Sequence, residues 1–402
     1  MTIEVRAPDD GELRAAMVAA ETAFGSELHE ADYERERVTL PTSRAHVAFD
    51  DGKAVGLAGA YAFDLSIPGG ELPCAGVTWV GVLPTHRRRG ILRELMSREL
   101  EDVRAWGEPI AALWASESAI YGRFGYGQAA QGVRMEADSG RFALRDDPGP
   151  HGSWRLVDAD EAYRLLPAVY GRFRAGRAGL LSRSEHWWRD HRLADPEHWR
   201  RGASPKFTAV LELDGEVKAY AVYRVKDEWE RGFPKGTVRV VEAFATAPAA
   251  ERELWRFLMG IDLTTTVDVF SVDPATPLPL LVRDPRALRL TVGDGLWLRL
   301  GDVESSLRAR SYEDAEPVVL RVRDGLCTWN EGGYRVGAGV ERTDDEPDLE
   351  LDVADLASAF LGGHDFVALA RADRLRELRE GGVARASALF RTQLPPYCPE
   401  VF

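Results

Sequence analysis

Residues 85–90 of this chain, Thr85-His86-Arg87-Arg88-Arg89-Gly90, set three consecutive guanidinium groups and a glycine between two runs of different period. Ahead of them, Val77-Thr78-Trp79-Val80-Gly81-Val82 is rich in β-branched residues and stops at Leu83-Pro84, where proline can donate no ladder hydrogen bond, so a strand ends there. Behind them, Ile91, Leu92, Leu95, Met96, Leu100, Val103 and Trp106 recur at helical spacing. A basic, glycine-containing loop that opens a helix presents free backbone N–H groups and the positive end of the helix dipole. That combination suits a polyanion such as a pyrophosphate. A second buried strand, residues 110–115, leads to Ser116-Glu117 and then to Ile120-Tyr121-Gly122-Arg123-Phe124-Gly125-Tyr126-Gly127. Residues 77–127 therefore read as strand, anion-binding loop, helix, strand and short helix.

The elements that must hold this segment come before it. Ala7-Pro8-Asp9-Asp10 introduces a helix over residues 11–24, with acidic residues in its first turn and Leu13, Met17, Val18 and Ala20 on one side. Residues 27–37 are highly charged, the composition of a solvated face. Residues 45–50 and 53–64 flank Asp51-Gly52, a hairpin signal, and Pro68-Gly69-Gly70 turns the chain again, so three antiparallel strands precede the loop.

At 402 residues the chain exceeds one ordinary core and calls for two or three domains. No stretch approaches the roughly 20 apolar residues of a membrane span, and the start lacks the basic-then-apolar pattern of a signal peptide, which points to the cytoplasm. Cys74, Cys327 and Cys398 are few, odd in number and far apart, which argues against a disulfide framework. A net charge of −14 disfavours general nucleic-acid binding and is compatible with a cationic substrate. The eight histidines are scattered without ligand spacing, so no metal is expected, and no Cys–His pair or serine elbow offers a covalent nucleophile.

Arg87-Arg88-Arg89-Gly90-Ile91-Leu92 resembles the signature of the GCN5-related N-acetyltransferases: arginine or glutamine, two variable residues, glycine, one variable residue, glycine or alanine. Leu92 departs from it. Taken with Ala115-Ser116-Glu117, the run from Ile120 to Gly127 and the length and order of the whole chain, the loop resembles the enhanced intracellular survival (Eis) aminoglycoside acetyltransferases of actinobacteria. The resemblance implies an α+β chain of two tandem acetyltransferase domains, the second degenerate, followed by a sterol-carrier-protein-like α+β domain. The expected bounds are 1–145, 146–293 and 294–402. It also implies acetyl-CoA as co-substrate, a polycationic amine as acceptor and a closed homo-oligomer, a hexamer.

Later segments fit that outline. After the turn-rich residues 146–152, Leu211 to Val217 is again strand, Asp-Gly turn and strand, and residues 238–245 form a strand ending near Pro248. Aligning Pro248 with Pro84 sets Glu251 at the place of Arg87 and Leu254 at that of Gly90, so the second copy should not hold CoA. Tyr170-Gly171-Arg172-Phe173 duplicates the run at Tyr121 but follows an amphipathic stretch, and reads as a packed helix. Residues 294–300 close the second domain. Strands at 318–322 and 334–336 and helices at 353–360 and 369–378 follow, with Leu356, Phe360, Leu361 and Phe366 as core.

Carried onto this chain, the resemblance assigns site roles. Val80 and Val82 offer backbone groups to the acetyl carbonyl and pantetheine arm, and Arg87, Arg88, Arg89 and Gly90 hold the pyrophosphate. Ser116 reaches the pantetheine or the substrate, or caps the following helix. Tyr121 is the general acid for the departing thiolate, whereas Tyr126 is a packing residue. Trp79 lines the amine pocket or the core, and Phe24, Glu27, Glu30 and Asp32 are candidates for the pocket wall. The α-carboxylate of Phe402 is nominated as base or amine-orienting group, with Glu400 as an alternative carboxylate for a cation. Two other readings share these residues: acetylation of a peptide lysine or N-terminus, and a CoA- or lipid-binding module without turnover.

Overall fold

The computed structural model describes residues 3–145, 149 and 151–402, so most of the turn-rich stretch 146–152 lies outside the described residues. By contact density the chain forms two units. The first comprises the chain up to Ala130 with Asp294–Pro396 and Glu400–Phe402, and the second comprises Gln131–Gly293 with Tyr397–Pro399.

The first unit is built on a seven-stranded sheet in the order Glu4–Arg6, Ala45–Asp50, Lys53–Ile67, Gly70–Val82, Ile110–Trp114, Leu296–Leu300, Gly127–Gln128. The strand expected over 77–82 is the last half of Gly70–Val82, paired antiparallel along Lys53–Ile67. Helix Asp10–Phe24 starts in a capping box between Asp9 and Glu12 and ends where Gly25 turns left-handed at φ 77°. It buries Leu13, Ala16, Met17, Ala19 and Ala20. Gly81 lets it approach, because a Cβ there would lie 3.2 Å from the Ala20 Cα. Helix Ile91–Ala105 buries Ile91, Leu95, Met96, Leu100 and Val103, as its spacing required.

One strand is not where the sequence suggested. Leu296–Leu300 does not close the second domain. It runs antiparallel between Ile110–Trp114 and Gly127–Gln128, pairing Leu298 with both Ala112 and Gly127. Left unpaired on that side, the buried strand Ile110–Trp114 would be an exposed apolar edge. In return, Gln131–Asp138 leaves the first sheet and enters the second unit's sheet, between Leu290–Asp294 and Thr264–Val272. The alternation in Leu296-Trp297-Leu298-Arg299-Leu300 tells which face is buried but carries no information about which sheet the strand joins.

Residues 303–396 also belong to the first unit, although the sequence set 294–402 apart as a domain. Their five-stranded sheet has the order Val340–Thr343, Gly332–Val336, Val318–Arg323, Leu349–Asp352, Leu375–Glu377. Helix Val353–Phe360 is buried along its length and packs on Leu296–Leu300 and on Gly127–Gln128, where a Cβ on Gly127 would fall 1.8 Å from the Ala354 carbonyl oxygen. Leu356, Phe360, Leu361 and Phe366 are fully buried, as expected of core. The helix expected over 369–378 is instead Phe366–Arg371 followed by strand Leu375–Glu377. Asp373 breaks it with φ 53°, and the Arg374 guanidinium is held by Asp355 at 2.8 Å.

In the second unit, strands Phe207–Leu213 and Glu216–Lys226 meet at Asp214-Gly215, and Gly236–Ala245 runs parallel to Thr264–Val272. Tyr170 lies in helix Ala159–Arg174, buried, its hydroxyl donating to the Leu181 carbonyl at 2.7 Å, so it is a packing residue. All three cysteines are buried thiols outside any disulfide. Among the described residues no helix is long and apolar enough to cross a membrane, and no cluster of potential metal ligands occurs.

Candidate active site

Strands Gly70–Val82 and Ile110–Trp114 are parallel neighbours only from Cys74↔Ile110 to Gly76↔Ala112, and beyond Gly76 no pairing joins them. A bulge accompanies the fork. Gly59 pairs with Thr78 and Leu57 with Gly81, so Trp79 and Val80 together face the single residue Ala58, with Trp79 at φ 56°. The backbone of residues 77–82 therefore has no strand partner on its fork side, and it faces a cavity of about 1070 Å³ lined by Val80, Gly81 and Val82.

The loop that follows closes one end of this cavity. Pro84–His86 makes one tight turn, Arg88 takes φ 64°, and Gly90 takes φ 82° as the residue before helix Ile91–Ala105. No side chain caps the helix that follows, so its first N–H groups keep no intrahelical partner. Arg87, Arg88, Gly90, Ile91 and Leu92 line the cavity. Leu92, which departs from the signature, is half-buried there. The Arg87 guanidinium donates to the carbonyls of Ala23 at 3.3 Å and Val82 at 3.4 Å, fastening the end of the first helix to the end of the strand. The Arg88 guanidinium has no partner among the described residues.

Arg89 is the correction. Its guanidinium donates to Asp50 at 3.1 Å, His86 lies 3.2 Å from the same carboxylate, and Arg89 is not among the cavity residues. The bond from Arg89, with support from His86, holds the Asp50 carboxyl below its ordinary range. The side chain anchors the loop to the neighbouring strand.

Ser116 and Tyr121 both line the cavity from the far side of the fork. The residue ahead of helix Ser118–Tyr121 is Glu117 and no side chain caps it, so Ser116 does not serve as the cap. Tyr121 is 7 % exposed, packs edge-on against Tyr126 at 6.0 Å, and makes no hydrogen bond through its hydroxyl to any described residue. Burial, and then the nearby Glu117 carboxylate, push its phenol up to about 12, so it stays protonated at neutral pH. Tyr126 is fully buried and lies outside this cavity, in keeping with a packing role.

Behind the bulge lies a second set of groups that do not line the cavity. The Trp79 indole N–H points to the Tyr61 hydroxyl at 3.3 Å and to Glu36 at 3.4 Å, and the Tyr61 hydroxyl donates to Glu36. The Phe402 ring packs edge-on against Phe63 at 5.5 Å and Tyr61 at 6.5 Å. It sits at the fork itself, since a Cβ on Gly76 would lie 3.2 Å from the Phe402 ring. Sequence reasoning missed Glu36. Helix Glu30–Thr39 buries no residue, so nothing in its pattern singles out one carboxylate.

The remaining candidates separate. Phe24 is exposed and lines the cavity beside Arg87, on the loop side. Glu27 is exposed and lies away from the cavity, while Glu30 and Asp32 pair with Arg14 and Arg35. Glu400, proposed for a cation, is completely buried and so offers no open carboxylate. Also missed were Arg93, Arg123 and the cavity wall given by residues 324–326 with Asp352 and Val353, which come from far along the chain.

The second unit lacks the corresponding loop. Pro248 is itself the first residue of helix Pro248–Met259, with only Thr246 and Ala247 between it and strand Gly236–Ala245, so Glu251 and Leu254 lie inside a helix and not at loop positions. Burial raises the Glu251 carboxyl, which takes a hydrogen bond from Thr276 at 3.3 Å, and Leu254 is core.

Residues 4–129 and 179–300 each match an acetyltransferase (GNAT) domain, and residues 303–399 match a sterol carrier protein domain. The chain is 42% identical over 389 residues to an uncharacterized N-acetyltransferase of Streptomyces avermitilis, covering 94% of this chain and 95% of that one. It is 35% identical over 412 residues to the N-acetyltransferase Eis of Mycobacterium tuberculosis, covering 98% of each. The crystal structure of Eis1 from Mycobacterium abscessus superposes over 100% of both chains, with TM-score 0.86 and 33% identity. A GCN5-related N-acetyltransferase of Anabaena variabilis, at 18% identity and TM-score 0.85 over both full chains, shares the fold.

Proposed function

The chain belongs to the Eis family of GCN5-related N-acetyltransferases, and from that premise we propose that it acetylates aminoglycoside-like polyamines, at several of their amines, by direct attack on acetyl-CoA. Acetyl-CoA is the donor that such acetyltransferases use. Its pantetheine arm would run along Val80 and Val82, with the pyrophosphate on Arg87, Arg88 and the N–H groups at Gly90. Ser116 would meet the arm from the opposite strand. The observation that carries the reading is Tyr121, a nearly buried side chain that lines the cavity at the fork and whose hydroxyl has no hydrogen-bond partner among the described residues.

In the reaction the amine nitrogen forms a bond to the acetyl carbon, the carbon–sulfur bond breaks, and the thiolate takes the Tyr121 proton. The α-carboxylate of Phe402 accepts or orients the amine proton, directly or through a water. The pairing of Glu36 with Trp79 and Tyr61 beside the Phe402 ring supports a cationic acceptor, since it sets a carboxylate among aromatic side chains. Assembly as a homohexamer in the cytoplasm belongs to the same reading.

Thiol release from acetyl-CoA, measured with tobramycin and with basic peptides and followed by product mass spectrometry, tests it. Multiply acetylated tobramycin is the expected outcome. Turnover on peptide lysines alone would replace the acceptor, and no thiol release with any amine would end the enzymatic reading for this cavity.

A further inference from the structure

Beside the short helix that carries Tyr121, the first unit holds a second cavity, of about 430 Å³. Ser118 and Ala119 line it, Ile120 and Tyr121 line the cavity at the fork, and Gly122 lines both, so one short helix divides the two. Helices Val353–Phe360 and Phe366–Arg371 supply further wall residues, and every residue of this second cavity lies in the first unit. The backbone around it is already in contact. Gly127 sits against the Ala354 carbonyl, and a Cβ on Gly363 would fall 2.1 Å from the Ala129 carbonyl oxygen, so the hollow is preformed.

Four of its lining side chains, Ala119, Ala354, Ala368 and Ala372, end at the β-carbon and leave the space open. The bulkier apolar surface comes from Leu369 and from the rings of Tyr126 and Trp297. Three polar groups on the lining have no hydrogen-bond partner among the described residues: the Tyr126 hydroxyl, the His364 imidazole and the Gln128 carboxamide. Tyr126 is fully buried, so its hydroxyl is a donor that bulk water does not satisfy.

The charges of this cavity cancel. Asp355 and Arg374 bond to one another at 2.8 Å, and the Ser358 hydroxyl is spent on the Ala354 carbonyl at 3.0 Å. Burial lowers the His364 imidazole, which is therefore uncharged at neutral pH. An ionic ligand would lose its hydration here and meet no free counter-charge, whereas a neutral one would find donors and acceptors open.

We propose that this cavity is a second small-molecule site, for an uncharged, planar aromatic compound that bears a hydroxyl or carboxamide. Its ring would pack among Leu369, Trp297 and Tyr126, and its polar group would exchange hydrogen bonds with Tyr126, His364 and Gln128. The site is separate from the one read as binding acetyl-CoA and does not depend on that reading.

Indole-3-carboxamide, titrated into the full chain by calorimetry, is the test. One molecule per chain should bind with Kd of about 0.1–1 mM, and tryptamine and indole-3-carboxylate, which keep the ring but carry a charge, should bind about tenfold more weakly or less. Ala368→Trp and Ala372→Trp each fill the space from an exposed position, and each should abolish binding with the melting temperature kept. Gln128→Leu and His364→Leu should each weaken the probe about three- to tenfold. Saturating CoA should leave its binding unchanged. The site is overturned by no binding at about 2 mM probe, by equal binding of the charged analogues, by binding that survives both tryptophan variants, or by displacement with CoA. None of these results bears on acetyl transfer, which thiol release tests separately.

Discussion

Removing one oxygen from Tyr121 separates its two roles. Tyr121→Phe keeps the buried ring against Tyr126 and deletes the proton donor, so kcat should fall about 100-fold or more while KM for acetyl-CoA changes by less than about twofold. With the phenol pushed up to about 12, wild-type activity should keep rising up to about pH 9 as the amine loses its proton, with no falling limb from Tyr121. Unchanged turnover in the variant would return Tyr121 to packing. A second residue has a pH signature of its own. Glu99 is completely buried and neither oxygen finds a protein partner, and burial pushes its carboxyl up to about 8. The folded protein therefore holds a proton that the unfolded chain has released above the ordinary carboxylate range. That contribution is fully present below about pH 4.5 and is lost as pH rises through about 8. Denaturant midpoints of wild type should fall between pH 5 and 8, and Glu99→Gln should flatten the decline; parallel profiles would refute it. At this scale the sequence was legible where chemistry is local, as in the arginine loop and the run at Tyr121. It was not legible where a partner is remote: Asp50 is 39 residues from Arg89, and Tyr61 is 25 from Glu36.

At the scale of elements, the two parallel strands part after Gly76, their last paired residue, and the Phe402 ring packs at that point. A methyl at Gly76 would stand 2.4 Å from the Phe63 ring and 3.2 Å from that of Phe402, so both aromatics must move. Gly76→Ala should cost about 1–3 kcal/mol of stability and lower kcat by displacing the Phe402 terminus, with acetyl-CoA KM little changed. Calorimetry and steady-state kinetics would check this, and full activity at unchanged stability would show that the ring's seat is irrelevant. Strand, turn and helix spacing were readable for the first fork because apolar period and proline stops are local signals. The second copy misled. Its proline matches Pro84 in sequence but begins the helix itself, and a proline suits a helix's first turn as well as a loop.

For the whole molecule, the traded strands matter most. Residues 1–145 by themselves hold the arginine loop, Tyr121 and strand Ile110–Trp114, yet lack Leu296–Leu300, which covers that strand's free edge. A chain ended at Arg145 should aggregate, whereas the same chain with residues 294–302 joined by a flexible linker should be recovered soluble in greater yield. Equal solubility of the two would argue that the edge needs no cover. Length called for two or three domains, and the order of two acetyltransferase domains and a sterol-carrier-protein domain came from the resemblance; the family matches along the chain agree with that order. Strand ownership was not legible, because Leu-Trp-Leu-Arg-Leu would fit either sheet equally well.

The trade also fixes a timetable during synthesis. The strand that closes the acetyltransferase sheet is made only after the whole of Gln131–Gly293, so at roughly 5–20 residues per second the first sheet waits about 10–30 seconds with Ile110–Trp114 uncovered. Most of the later-made unit is complete before the earlier-made one. The nascent chain thus passes through an interval in which the half that carries the chemistry is the half in need of a chaperone.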